Sequence, residues 1–253
     1  MAQKEQITFY THFYSPYCDR VHLALEEVKA DYTVYTVDVM NKPKWYTEQI
    51  NPVGKVSRAL SPSAHLTLVQ IPAITYGGPK VKPEEPSPES CKLRESLVIL
   101  EFLADLFPEA GLLPTDPVLR AKARLFASDV DAHVFEGFKA YFFMREPASK
   151  LLDALDRFQQ QLPARGFAVG DKWTLADMAA APFLVRTYLL LEHDLGVYPA
   201  GEGPKTLALL RGERFARLNQ YLADLRAQPS FKATWDEAAQ VAIWKSNPMF
   251  KRE

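Results

Sequence analysis

The chain has 253 residues, of which 47% are hydrophobic and 24% charged, with 30 Lys and Arg against 31 Asp and Glu. A net charge of −1 without any basic run argues against nucleic acid or an anionic membrane surface as the main partner. Two cysteines, Cys18 and Cys91, make no disulfide framework. With no apolar run of bilayer-spanning length and no apolar leader at its start, the sequence reads as a soluble protein of a reducing compartment, most simply the cytoplasm.

The first strand is expected over residues 6–10, rich in β-branched and aromatic side chains. From Pro16 the period changes. Val21, Ala24, Leu25 and Val28 fall at i, i+3, i+4 and i+7, one apolar stripe of a helix. Ser15 is then the N-cap and Pro16 the first helical residue, where a missing N–H costs nothing. A hydroxyl there sits at the positive end of a helix, an environment that stabilises a thiolate.

A second strand is expected over 32–38. The turn Asn41-Lys42-Pro43 leads into a short helix containing Trp45. Residues 71–76 read as a strand despite Pro72, which suits a strand start or an edge. Four prolines between Pro79 and Pro88 predict an extended surface loop. Glu95 and Ser96 open a helix running to Leu106, after which Pro108, Gly111 and Pro114 mark a linker.

Beyond Pro117 the signals are almost all helical. Residues 118–145 make one long helix or two, with Leu125, Phe126, Val130, Phe135, Phe138 and Phe142 facing inward. Leucines at 151, 152, 155 and 162 mark the next helix, and 174–191 is apolar enough to be central. Segments 215–227 and 231–241 complete the helical set. The expected architecture is an α/β domain over 1–107 followed by an all-α domain over 115–253.

A βαβ unit, a proline-bearing strand and a terminal helix resemble the thioredoxin-like fold. With an all-helical domain attached, nearly the whole chain resembles a cytosolic glutathione transferase. Four matches carry this: Ser15-Pro16, Ile71-Pro72-Ala73-Ile74, Glu95-Ser96, and the stretch from Val169 to Asp177 in the helical part. Asn41-Lys42-Pro43-Lys44-Trp45 is similar to the omega-class segment that supplies a glutathione-binding lysine. The usual omega motif has Cys where this chain has Ser15, so the chain departs from the family at its nucleophile, as serine variants of fungal omega-like enzymes do.

The resemblance implies a division of labour. Lys42 holds the glycyl carboxylate of glutathione. Ile71, ahead of a cis Pro72, presents its backbone to the cysteinyl unit. Glu95 and Ser96 take the γ-glutamyl end. Ser15 is the catalytic residue. A serine forms no mixed disulfide, but its hydroxyl can donate to the glutathione sulfur and make glutathione itself the nucleophile. Tyr14 and Tyr17 are alternative hydroxyls, and Cys18 reads as a buried, inert thiol.

Tyr17, Phe126, Asp129, Val130, His133 and Tyr141 are candidates for a second-substrate site, with Trp235 and Trp244 as further aromatics. An aromatic-lined pocket would suit flat hydrophobic compounds, although an aromatic stripe is also how a plain core reads. Thr174 and Asp177 form a T-x-x-D capping box of structural purpose. The five histidines lack metal-ligand spacing, so no metal is expected.

The reading is a serine-type, omega-like glutathione transferase that uses glutathione as co-substrate and assembles as a homodimer. Rival readings are a non-catalytic carrier of aromatic small molecules (a ligandin), a thiol reductase working through Cys18, and a regulatory module without glutathione binding. Val56–Gln70 is an anomaly. Fifteen residues separate Gly54-Lys55 from Ile71-Pro72, where the family has almost none. Val-Ser can be encoded as GTGAGT and Gln as CAG, the edges of a short retained intron; a natural surface insertion is the alternative.

Overall fold

The computed structural model describes residues 5–39, 41–52 and 71–250. The segment Val56–Gln70 lies outside them. Two compact units divide the chain, Met1–Phe107 and Pro108–Glu253.

The first unit is built on a four-stranded sheet of order β2-β1-β3-β4. Strand β1 (Ile7–Thr11) pairs in parallel with β2 (Tyr32–Thr36) and antiparallel with β3 (Ala73–Tyr76), which pairs antiparallel with β4 (Cys91–Arg94). The parallel pair requires a crossover, supplied by helix α1 (Pro16–Glu27). Side chains alternate across β1. Phe9 meets His22 of α1, while Tyr10 turns to the other face and joins Tyr35, Trp45 and Tyr46. Tyr10 also donates to the Pro83 carbonyl at 2.8 Å, tying down the proline-rich loop. Helix α2 (Ser96–Leu106) packs against α1 and closes the unit.

The short helix expected around Trp45 is a single π-helical turn, Tyr46–Ile50, entered through Lys44 and Trp45. Strand β4 was not expected. Cys91-Lys92-Leu93-Arg94 has little strand character of its own, and it is extended because β3 supplies the hydrogen-bonding partner.

The second unit is helical. Its helices are α3 (Pro117–Asp129), α4 (Phe135–Phe143), α5 (Ala148–Gln159), α6 (Leu175–Glu192), α7 (Glu202–Leu210), α8 (Ala216–Ala227), α9 (Pro229–Thr234) and α10 (Glu237–Lys245). Helix α6 is the axis, buried along its whole length except at Glu192. Helix α7 gave no sequence signal. The expected helix 231–241 is broken at Trp235, which leaves α9 and α10 as separate pieces.

A π-helical turn, Val130–Val134, joins α3 to α4. Its reason lies in the sequence: the buried residues Phe126, Val130, Val134, Phe138 and Phe142 recur every four positions. An α-helix of 3.6 residues per turn would rotate such a row off the core, and one wide turn brings it back. Leu125, expected inward, is 62% exposed because it stands one position beside that row. Among the described residues no helix is long and apolar enough to cross a membrane.

Candidate functional site

Strand register gathers the predicted glutathione residues of the first unit. Thr11, at the end of β1, pairs with Thr36 at the end of β2, so the loop carrying Ser15 and the turn carrying Lys42 leave from the same end of the sheet. Ala73 pairs with Tyr10 on one side and Arg94 on the other. The Ile71-Pro72 corner and the Glu95-Ser96 corner therefore lie at that end too. This is the end of the parallel pair from which ligands in such sheets are approached.

Ser15 caps α1 with φ −92° and ψ 110°, and Pro16 is the first helical residue. The Cys18 N–H donates to Ser15 Oγ at 3.3 Å, so the hydroxyl accepts from its own helix. The Ser15 N–H is fixed by the His12 carbonyl at 3.1 Å. His12 in turn meets the Val37 carbonyl through Nδ1 at 3.0 Å, and burial holds its pKa below the ordinary histidine value. The loop between β1 and α1 is thus pinned on both sides of Ser15.

Cys18 is fully buried. Burial pushes its thiol up to about 12, while hydrogen bonds from Ser15, Thr11 and the His12 backbone pull it part of the way back. A fully buried thiol with its pKa raised fits the reading of Cys18 as an inert thiol and argues against a reductase working through it.

The Ile71-Pro72 peptide bond is cis, as the resemblance implied. Lys42 is half-buried in the turn after β2, and the turn is anchored by Trp45, whose ring meets Tyr35 and Tyr10. Glu95 and Ser96 form the start of α2. Glu95 has φ +67°, the left-handed region that a non-glycine residue rarely occupies, and its carboxylate makes no capping bond. Its side chain is exposed at the corner. Ser96 is buried, and its Oγ accepts from Arg20 Nη1 at 3.2 Å. Arg20, which the sequence did not single out, is 0% exposed.

The second-substrate residues are not all of one kind. Phe126, Val130 and Tyr141 are buried in the packing of the helical unit. Phe126 lies against Phe158 with centroids 5.0 Å apart, and Tyr141 stacks on Tyr198 at 4.5 Å with its hydroxyl bonded to Thr206 Oγ1 at 2.9 Å. Asp129 is half-buried at the end of α3, and His133 is exposed on the π-helical turn. Tyr17, in the first unit, is half-buried with the Arg20 guanidinium 5.0 Å over its ring. Among the described residues no cluster of His, Cys, Asp or Glu could hold a metal ion.

One end of the sheet thus carries Lys42, the buried Ile71-Pro72 corner, the start of α2 with the buried hydroxyl of Ser96, and the hydroxyl of Ser15. The comparisons agree. The description "Glutathione S-transferase, N-terminal domain" matches residues 14–106, and "Glutathione S-transferase, C-terminal domain" matches 148–224. The chain belongs to the glutathione S-transferase family.

Within the family the transferase falls in the omega class. It is 46% identical to the crystal structure of glutathione transferase Omega 2S from Trametes versicolor, with a TM-score of 0.86 over 98% of this chain and 99% of that one. A structure of Omega 2S in complex with 2,4-dihydroxybenzophenone matches at 45% identity, TM-score 0.85 and the same coverage. A probable glutathione S-transferase from Nicotiana tabacum is 28% identical over 225 residues, covering 87% of this chain and 82% of its own. The fold and the enzyme class expected from sequence are those found.

Proposed function

We propose that this glutathione transferase lowers the pKa of the glutathione thiol at Ser15 and directs the resulting thiolate at hydrophobic, aromatic small molecules, in conjugation or in peroxide reduction. The observation that carries the reading is the hydroxyl of Ser15 at the start of α1, where its Oγ accepts from the Cys18 N–H and sits at the positive end of the helix. A hydrogen bond donated to sulfur favours the charged form of the thiol. In conjugation the thiol proton passes to solvent, the sulfur lone pair forms a bond to the electrophilic carbon, and the leaving group departs with its electron pair. Aromatic second substrates are inferred from the Omega 2S complex with 2,4-dihydroxybenzophenone.

That same complex favours a second reading, a carrier that keeps the glutathione site and stores aromatic compounds. Turnover separates the two. Measurable conjugation of a model aryl halide, with thiolate absorbance appearing below the free thiol's pKa on glutathione binding, supports the enzyme. Tight benzophenone binding without turnover supports the carrier.

Lys42 is assigned to the glycyl carboxylate, Ile71 to the cysteinyl backbone, and Glu95 and Ser96 to the γ-glutamyl end. Replacing Lys42 with alanine should weaken glutathione binding by about 1.5–3 kcal/mol, the usual size of a charge-assisted hydrogen bond. Calorimetric titration checks this, and an unchanged dissociation constant removes Lys42 from the site.

The two free cysteines suit a reducing compartment such as the cytoplasm. A homodimer is inferred from the family and from Val118 and Leu125 on α3, 60% and 62% exposed and one heptad apart on one face. Light scattering should give about twice the 28.6 kDa chain mass. A value of one chain mass, with and without Val56–Gln70, overturns the dimer.

A further inference from the structure

We propose that His12 is a positioning residue for Ser15: its imidazole fastens the end of β1 to the end of β2 and so sets where the Ser15 hydroxyl meets the glutathione sulfur. The inference rests on the Ser15 reading above and deepens it.

His12 is the first residue past β1, which ends at Thr11. The parallel ladder with β2 runs one step beyond the strands, since the Val37 N–H donates to the Thr11 carbonyl at 2.9 Å. A ladder continued further would bring the N–H of residue 13 to the Val37 carbonyl. The chain turns instead, and the turn is closed by the Ser15 N–H donating to the His12 carbonyl at 3.1 Å. Val37 is 0% exposed, and a buried carbonyl deprived of its donor is costly. The His12 ring takes the donor's place, with Nδ1 3.0 Å from the Val37 carbonyl.

A carbonyl only accepts, so Nδ1 carries the proton. Nε2 is buried and has no hydrogen-bond partner among the described residues, which leaves the Nδ1 bond to orient the ring. The Tyr14 and Phe13 rings stand beside it, with centroids 5.3 and 6.4 Å away. Burial lowers the pKa of the ring, and the Val37 bond and the charge of Asp38 offset this only in part, so His12 is neutral at and above neutral pH. His12 thus holds β2 with its side chain and Ser15 with its carbonyl, and its backbone also reaches the Cys18 thiol. The Cys18 N–H in turn donates to Ser15 Oγ at 3.3 Å. Releasing the ring from Val37 loosens the corner on which both hydrogen bonds of Ser15 depend. A hydrogen bond to sulfur weakens with distance and angle, so a small displacement of Ser15 costs rate.

The test titrates the thiolate absorbance of bound glutathione against pH, at saturating glutathione, and measures kcat with a model aryl halide. The proteins are the unaltered chain, Ser15→Ala, His12→Leu, His12→Asn and the double variant Ser15→Ala with His12→Leu. His12→Leu should raise the pKa of the bound thiol by a large part of the rise that Ser15→Ala produces, and lower kcat about 10-fold. His12→Asn should recover most of both, because its amide N–H stands where Nδ1 stood. In the Ser15→Ala background His12→Leu should add nothing to the thiol pKa, since a residue acting through Ser15 has nothing left to act on.

An unchanged thiol pKa in His12→Leu overturns the inference and leaves the Ser15 reading in place. So does an equal rise with and without Ser15, which would mark a general disturbance of the fold, and so does His12→Asn behaving like His12→Leu. If Ser15→Ala itself leaves the thiol pKa unmoved, the Ser15 reading falls and the inference with it. Should His12→Leu not fold, His12→Gln takes its place, with an amide one bond too far out to stand at the position of Nδ1.

Discussion

Ser15→Ala should lower conjugating turnover by about 10- to 100-fold, the equivalent of one hydrogen bond to a charged group, while glutathione affinity stays nearly unchanged. The hydroxyl acts on sulfur, and the anchoring groups at Lys42, Ile71 and Ser96 are untouched. The rate against pH should move to higher values, because the thiol then ionises with less help. Ser15 is also a helix cap, and the variant removes the side-chain acceptor of the Cys18 N–H at a stability cost of about 0.5–2 kcal/mol. The two roles separate by measurement: denaturation reads the cap, and the pH–rate profile reads the thiolate. Loss of affinity in step with loss of turnover, with no movement of the profile, would reduce Ser15 to a cap. Ser15→Cys adds a second arm. With glutathione disulfide, its thiolate should displace one glutathione and retain the other as a mixed disulfide, seen as one glutathionyl group in the mass spectrum.

The parts legible in sequence are those where local chemistry dictates backbone geometry. Ser15-Pro16 can start a helix and do little else, and Ile71-Pro72 and Glu95-Ser96 stand at element boundaries that the strand and helix periods expose. Strand β4 was illegible because its extension is imposed by β3 rather than by Cys91–Arg94 themselves. Phe126, Val130 and Tyr141 were candidates for a second-substrate site, and an aromatic stripe on a helix looks alike in sequence whether a ligand or another helix covers it. In this fold Phe158 and Tyr198 cover it. Arg20 had the opposite fate. A charge on an amphipathic helix reads as solvated, and only the docking of α1 against α2 encloses it. One signal was available: Arg20 directly precedes Val21, the first residue of the apolar stripe, and so sits at the edge of the buried face.

Asp177→Ala should destabilise the helical unit by about 3–5 kcal/mol, the range for truncating one member of a buried charged network. Asp177 is 0% exposed. Its Oδ1 accepts from the Ala168 N–H at 2.7 Å and from the Tyr221 hydroxyl at 2.7 Å, and its Oδ2 accepts from the Thr174 N–H and from Thr174 Oγ1, both at 2.9 Å. Burial pushes this carboxyl up, and the four donors pull it down. The carboxylate binds the start of α6, the loop before it and α8 into one piece, and α6 is the axis of the unit. Alanine leaves four donors facing no acceptor, each a buried polar group with its desolvation unreturned. Asp177→Asn keeps the shape and one acceptor oxygen but turns an NH2 toward donors, so its loss should be of the same order and its shape-matched core rules out a cavity as the cause. Thermal unfolding followed by circular dichroism should show a fall of about 10 °C for the alanine variant, from roughly 2–4 °C per kcal/mol in a chain of this size. A change within about 1 kcal/mol, the scatter of ordinary substitutions, would mean that the packing of α6 against its neighbours holds the unit without this network, and the capping box would then be incidental to the fold.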